Sequence, residues 1–548
     1  MRAGRGAIVV AGIVWASVLV GAAEKTSGVF FEADQTKKTP DIFSTSDTCM
    51  ACHNNLISRT GEDVSIFTDW RASMMANSSR DPYWMAAVRR EVMDHPADAA
   101  AIEDECSVCH MPMTTFAERA AGRKGRVFDH LPIGRDDDDE SRLAADGVSC
   151  TVCHQIQPAN LGTSASFTGG YVIDVTGGGS TRKLFGPFQI DTGRTRVMRS
   201  ASGFEPTQSA HVQQSELCAT CHTLFTRALA SGAGGLRLPE QMPYLEWQQS
   251  AYKDKETCQS CHMPVVPGEM PLTQVLGQPR EGLSRHTYRG GNFFMMKMLN
   301  RYRADLGVRA TPHEMDAAIT HTVKHLVEDT ARITVACSER VDDTLVADVD
   351  VDNLAGHKLP TAYPSRRAWI HLMVRDASGR AVFDSGAFSA DGRIAGNDND
   401  ADARTFEPHY TQITKADQVQ IYESVMVDPG GRVTTGLLSG VKYVKDNRML
   451  PRGMSKAAAT GDIAVVGEAA GDADFLDGRD RVTYRIPLNG AQGPLTVTAE
   501  LWYQPIGYRW ATTLRGYDAP EPKRFISYWE SMAGESAMML VKATATAR

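Results

Sequence analysis

The sequence predicts two domains of different class: a mainly α-helical and irregular first domain, then an antiparallel β-sandwich-like second domain. Three observations predict this. A cysteine–histidine string occurs five times between residues 49 and 262 and nowhere else. Helical stretches separated by Gly- and Ser-rich loops fill the same region. From residue 331 onward, short runs alternate apolar and polar residues between turn signals, with no long helices interleaved. A chain of 548 residues is long enough for two such domains.

The chain opens with "MRAGRGAIVVAGIVWASVLVGAAEKTSG". Arg2 and Arg5 form a short positive region. An almost wholly apolar run covers residues 7 to 20, and Ala22 and Ala23 follow as cleavage points. Residues 1–23 are therefore expected to be a secretory signal peptide, with an uncleaved membrane anchor as the alternative. This places the mature protein in the periplasm or outside the cell. Membrane association is expected only if the leader stays uncleaved.

Residues 24–311 form the first expected domain. "CSVCHMP" (106–112) and "CQSCHMP" (258–264) are two of its five C-x-x-C-H strings. The full set is Cys49, Cys52, His53; Cys106, Cys109, His110; Cys150, Cys153, His154; Cys218, Cys221, His222; and Cys258, Cys261, His262. Eleven cysteines and 15 histidines would give about 0.006 copies by chance. C-x-x-C-H is the attachment motif of haem c. Two thiols bond the porphyrin edge, and the adjacent imidazole supplies one axial nitrogen to iron. A disulfide framework would not need a histidine after each pair, and zinc sites would bring C-x-x-C pairs together two by two. Five haem c groups, with their iron, are thus expected. "DPYWMAAVRREVMDH" (81–95) and "PEQMPYLEWQQSAY" (239–252) read as helices. Haem rather than an apolar core is expected to fill much of this interior.

"PHEMDAAITHTVKHLVED" reads as a helix within a connecting segment, residues 312–330. Residues 331–548 form the second domain, with "ARITVAC", "LVADVDVDNL", "RRAWIHLMVRDASGRAVFDSG", "RVTYRIPL" and "PLTVTAELWYQPIGYRW" as strands. Cys337 lies outside every motif and reads as a small buried hydrophobe.

The formal net charge is −8, and losing the leader's two arginines makes it more negative. This excludes general nucleic-acid binding and suits a redox partner steered by charge. The acidic runs "DDDDE" (136–140) and "NDNDAD" (397–402) read as solvated loops; the second is also a weak Ca²⁺ candidate without the full loop pattern.

Function turns on the second axial position. An iron with two strong protein ligands moves electrons; an iron with an open position can bind a small molecule. His286 in "SRHTYRGGN" is the first distal candidate, because glycines let backbone approach a flat cofactor. His95, His130 and His211 follow from their positions near the motifs. Met75 in "WRASMMANSSRDPYW" offers sulfur, and His357 in "NLAGHKLPTAYPSRR" could reach across from the second domain. Met75, His95, His130, His211 and His286 would complete five irons. His321 and His325 share a helix face but lack the Glu of a metal-binding H-E-x-x-H, so they read as a packed or exposed helix face.

The haem region resembles the multihaem c-type cytochromes related to the nitrifier tetrahaem cytochrome and to hydroxylamine oxidoreductase. The five motifs, the two "CHMP" extensions, "SELCATCHTL" and "SRHTYRGGN" carry the resemblance, over about residues 45 to 292. In that family "W-x-x-S-x-H-A" often supplies a distal histidine. Here the string is "WRASMMA", which puts Met75 at that position. The second domain is similar to a C-terminal domain found on other multihaem cytochromes, through "NLAGHKLPTAYPSRRAWIHL" and "YVKDNRMLPRG". The resemblance implies haems packed within electron-transfer distance.

The expected function is an exported pentahaem electron carrier, working with other redox proteins or quinol-linked donors. The alternatives are a reductase or oxidase of a small nitrogen or sulfur compound at one open haem, and a haem-bearing structural or surface-assembly subunit. Oligomeric state is not legible, nor is there a catalytic residue to name. The protein is an enzyme, an oxidoreductase, only if one iron is open.

Overall fold

The computed structural model describes Met1 and residues 41–134, 138–176, 181–230, 234–337, 340 and 342–547. The expected leader, apart from Met1, and the start of the 136–140 acidic run lie outside the described residues. No helix among the described residues is long and apolar enough to cross a membrane.

The first part is built of short helices joined by long loops. Helix Pro82–Asp94 shows how the sequence sets one. The Asp81 carboxylate accepts from the Tyr83 and Trp84 amides, Pro82 takes the first turn, and Pro96 lies just beyond the end. It buries Tyr83, Trp84, Met85, Ala86 and Val88. Helix Pro312–Asp329 begins on a reciprocal cap between Thr311 and Glu314. Strand Ala331–Cys337 follows within two residues.

Residues 239–252 differ from the helix expected there. Arg237–Gln241 is a strand paired with Leu224–Arg227, and only Pro243–Gln248 is helical. Pro243 opens that helix, so the ladder ends where the proline begins a new element.

The second part holds two larger sheets. One orders Ala331–Cys337, Thr344–Asn353, Arg479–Pro487 and Gln412–Ile413, antiparallel except for the last pair. The other orders Ile421–Tyr422, Arg367–Arg375, Leu495–Gln504 and Met538–Ala547, and Ala381–Ser385 also pairs with Arg367–Arg375. Asp376 ties the hairpin turn by accepting from the amides of Ser378 and Arg380. Strict alternation of buried and exposed residues in Thr344–Asn353 puts Leu345, Ala347, Val349 and Val351 on one inward face.

The second part is not all β. Pro520–Met532 is a helix, with Phe525, Tyr528, Trp529 and Met532 at helical spacing on its buried side. It packs back on Pro82–Asp94. Tyr83 meets Phe525 at 5.2 Å, and Arg89 grips Glu521 through two hydrogen bonds of 2.8 and 3.0 Å. Apolar residues of both parts form one continuous core, including Met85, Phe294 and Met298 as well as Val349, Leu372 and Val497. The first part thus has a polypeptide core beside any volume that cofactors fill.

Candidate haem sites

Each C-x-x-C-H string closes a helical turn. The amides of His53, His154 and His222 donate to the carbonyls of Cys49, Cys150 and Cys218, each at 3.0 Å. Residues four apart on a turn share a face, so the imidazole stands beside the first thiol. Four of the five rings are then oriented by backbone. Nδ1 lies 2.8 Å from the Leu272 carbonyl in His53 and 2.9 Å from that of Ser78 in His110. It lies 2.5 Å from the Phe185 carbonyl in His154 and from the Arg289 carbonyl in His262. An Nδ1–H donated to a carbonyl fixes the tautomer and leaves Nε2 as a lone-pair donor, as metal-ligating histidines require. Among the described residues, His222 has no such anchor.

Burial keeps these rings neutral. It pulls His110 down to about 4 and His262 to about 3, and lowers His53, His154 and His222 as well. Neutral imidazole is the form that binds metal.

Two motif rings face a second imidazole. His154 and His286 have ring centroids 6.4 Å apart with 21° between planes, and His262 and His357 are 6.2 Å apart at 10°. A metal–nitrogen distance of about 2.0–2.1 Å, with about 1.1 Å from nitrogen to ring centre, puts two trans imidazoles about 6.3 Å apart. Both spacings match that expected of two imidazoles on one metal ion. The outer rings are anchored like the inner ones, through Nδ1 to the Ser284 carbonyl in His286 and to the Lys358 carbonyl in His357, each at 3.0 Å. His286 is also held low, to about 3, by burial.

The chain aims these rings by local ties. Arg285, next to His286, forms a two-point ion pair with Asp69 of helix Ile66–Arg71. Gly291 has a use other than approach to a cofactor: a Cβ there would lie 2.5 Å from the Tyr503 hydroxyl, so the "GG" step lets this segment abut the second part.

The other distal candidates are placed differently. His211 is buried with both nitrogens engaged, Nε2 at 2.8 Å from the Ile156 carbonyl and Nδ1 at 2.6 Å from Ser209 Oγ. Both of its nitrogens thus have protein partners in this structure. His95 ends helix Pro82–Asp94, half-buried, with Nε2 3.4 Å from Ser439 Oγ. His130 is buried in the turn Phe128–His130. Among the described residues, neither ring stacks with a motif imidazole. Met75 is half-buried, and its carbonyl accepts from Val148, two residues before Cys150. Met74, not Met75, packs against the main core.

His325, expected on a packed or exposed helix face, lies on a half-buried one. His325 lies edge-on to His262 with centroids 5.9 Å apart, its Nδ1 2.9 Å from Asp329. The signal available was its position on a helix between the two parts. The acidic string at 397–402 gathers no shared oxygen site: Asp400 pairs with Arg367, and Asp402 with Arg404.

Thiols of different motifs meet. Cys49 lies beside Cys150, Cys109 beside Cys221, and Cys218 beside Cys258, close enough for each to shift its neighbour's titration. The two "CHMP" strings share backbone geometry at Met111 and Met263, near φ −130° in both. They part at the proline: Pro112 opens a helix, while the chain after Pro264 pairs Val265 with Ser284.

No family model matches the chain, and no curated protein matches it. Among solved structures, it is similar to a penta-heme cytochrome c552 from Thermochromatium tepidum. The match has 16% sequence identity and a TM-score of 0.50, and covers 92% of this chain and 98% of that one. At this identity the likeness speaks for a shared fold over nearly the full length of both chains.

Proposed function

We propose that the protein is an exported pentahaem c-type cytochrome that carries electrons through five covalently attached haems. The observation that supports this best is the spacing of His154 with His286 and of His262 with His357, which suits irons ligated on both sides. When bound, haem supplies one-electron exchange at iron. The ten motif cysteines hold the porphyrins, and His53, His110, His154, His222 and His262 are the proximal ligands. In this reading His286 completes the third site and His357 the fifth. The thiol contacts give an order of neighbours: first with third, second with fourth, fourth with fifth. Redox proteins or quinol-linked donors are the partners this reading calls for. The second part is read as a β-sandwich-like domain serving the haem part.

A second reading, reduction or oxidation of a small nitrogen or sulfur compound, is favoured by one observation. Among the described residues no imidazole faces His222, while the Arg366 guanidinium stands close enough to disfavour its protonation. An open iron there would have a cation beside it.

Low-temperature EPR of the ferric protein, with haem counted by pyridine haemochrome on the same sample, tests both. Five haems with only low-spin signals support the carrier. A substantial high-spin signal moves the assignment to the second reading. Fewer than five haems overturns the count.

A further inference from the structure

The strings "NLAGHKLP" and "YVKDNRMLPRG" come together in the second part, with Leu359 and Met449 bridged. They meet the first part along residues 239–256, where the Tyr443 hydroxyl donates to the Pro239 carbonyl at 3.0 Å. Tyr252 donates to the Leu354 carbonyl at 2.9 Å, and the Ala251 amide donates to the Arg452 carbonyl at 2.7 Å. Gly356 lies against Trp247 and Tyr252. His357 is the next residue.

Four buried charges sit behind it. Lys358 Nζ is 2.7 Å from Asp446, and Arg448 holds the same carboxylate at 2.8 and 2.9 Å. Arg448 also lies 3.4 Å from Glu246, which belongs to the first part. Glu246 Oε2 accepts from the Lys358 amide at 3.1 Å and from the Thr361 hydroxyl. The side chains of Lys358 and Glu246 are 0% exposed. From the other side, Asn353 donates to the His357 carbonyl at 2.8 Å. The quartet is neutral, with two acids and two bases.

Burying four charges is costly, and apolar replacements of such sets are often neutral or stabilising. Stability alone therefore does not explain them here. What they share is a network tied to Lys358, the residue next to an imidazole that faces His262.

We infer that Glu246, Lys358, Asp446 and Arg448 form a clasp across the boundary between the two parts that positions His357 against His262 and sets the potential of the iron held there. This rests on the reading of His357 as an axial ligand. The second part is then a ligand-delivering element, and Glu246 and Lys358 are positioning residues. A buried negative charge near iron favours the ferric state, and a buried positive charge favours the ferrous state.

The test uses the full holoprotein, with EPR and potentiometric titration of each haem. His357→Ala and His325→Ala are made alone and together, because His325 is the other imidazole close to His262. His357→Ala is expected to turn one haem of five high-spin, alone or once His325→Ala removes a substitute, while His325→Ala alone leaves all five low-spin; a high-spin haem from His325→Ala alone overturns the role of His357. Glu246→Gln is expected to keep all five low-spin and raise the midpoint of that same haem, and Lys358→Met to lower it. Glu246→Asp, which keeps the charge count, guards against misfolding and gives a smaller upward shift. The inference is overturned if the histidine variants produce the high-spin haem while the Glu246 and Lys358 variants leave all midpoints at wild-type values. If the double histidine variant keeps five low-spin haems, the axial role of His357 fails, and the clasp with it.

Discussion

His154 and His286 hold their rings 6.4 Å apart and nearly parallel, each tied through Nδ1 to a backbone carbonyl. With Nδ1 so engaged, each ring keeps Nε2 as its lone-pair nitrogen. His211 lies nearby, against the Ile156 carbonyl, yet has both nitrogens occupied. The contrast gives the first prediction. His286→Ala should convert one low-spin haem to high-spin, whereas His211→Ala should leave the low-spin count unchanged and cost only its two hydrogen bonds, about 1–3 kcal/mol. EPR of the two variants side by side decides it. An unchanged spectrum for His286→Ala, or a high-spin signal from His211→Ala, would reverse the assignment.

Trp84 stacks on His110 at 4.3 Å with 2° between rings, while Nδ1 of His110 points to the Ser78 carbonyl. Indole and carbonyl together leave the imidazole one orientation about its axis. Trp84→Leu should keep haem content at wild-type level but move the EPR g-values of one low-spin haem, since these follow ligand-plane orientation. Identical g-values in variant and wild type would show that the carbonyl alone sets the ring.

Trp529 is 1% exposed and stands edge-on to Phe294 with centroids 5.4 Å apart. It fastens the C-terminal helix onto helix Phe293–Arg301 of the first part. Trp529→Ala should therefore destabilise by about 3–5 kcal/mol through the cavity it leaves. Because the core is continuous, the loss should appear as a lower melting temperature for both parts at once. Calorimetry showing one part melting at its wild-type temperature would separate them energetically.

The five attachment strings were legible because their chemistry requires fixed spacing, and His286 stood out as a candidate from its Gly-rich segment. His357 was visible only as a weaker candidate. Its approach to His262 depends on a boundary between halves that spacing along the chain does not encode. His325 was missed for the same reason: helical periodicity assigns it a face, but not what the face meets. Strand Arg237–Gln241 was hidden by "PEQMPYLEW", whose composition suits a helix until pairing with Leu224–Arg227 overrides it. The C-terminal helix could have been read from Phe525, Tyr528, Trp529 and Met532. The wholesale change to strand pattern upstream drew attention from it. His211 shows the limit most plainly, since nearness to a motif says nothing about which nitrogens are already used.

Asp480 is buried with Oδ2 accepting from the Tyr422 hydroxyl at 2.6 Å and from Gln420 at 3.1 Å, while Oδ1 has no hydrogen-bond partner and lies 3.9 Å from His409 Nε2. Burial, and the nearby carboxylates of Asp472 and Asp474, raise it from the ordinary value near 3.8 to about 7. Between about pH 4 and pH 7 the folded protein keeps a proton that the unfolded chain has released. The stability this confers is therefore complete below about pH 4 and is lost as pH rises through about 7. Asp480→Asn keeps the shape and the neutral form at every pH. It should flatten the fall in melting temperature across that window and stabilise the protein at pH 8 by on the order of 1–4 kcal/mol. Parallel melting curves for variant and wild type from pH 4 to pH 8 would mean that Asp480 is ionised in the fold throughout, with its charge met by the hydroxyl and amide that face it.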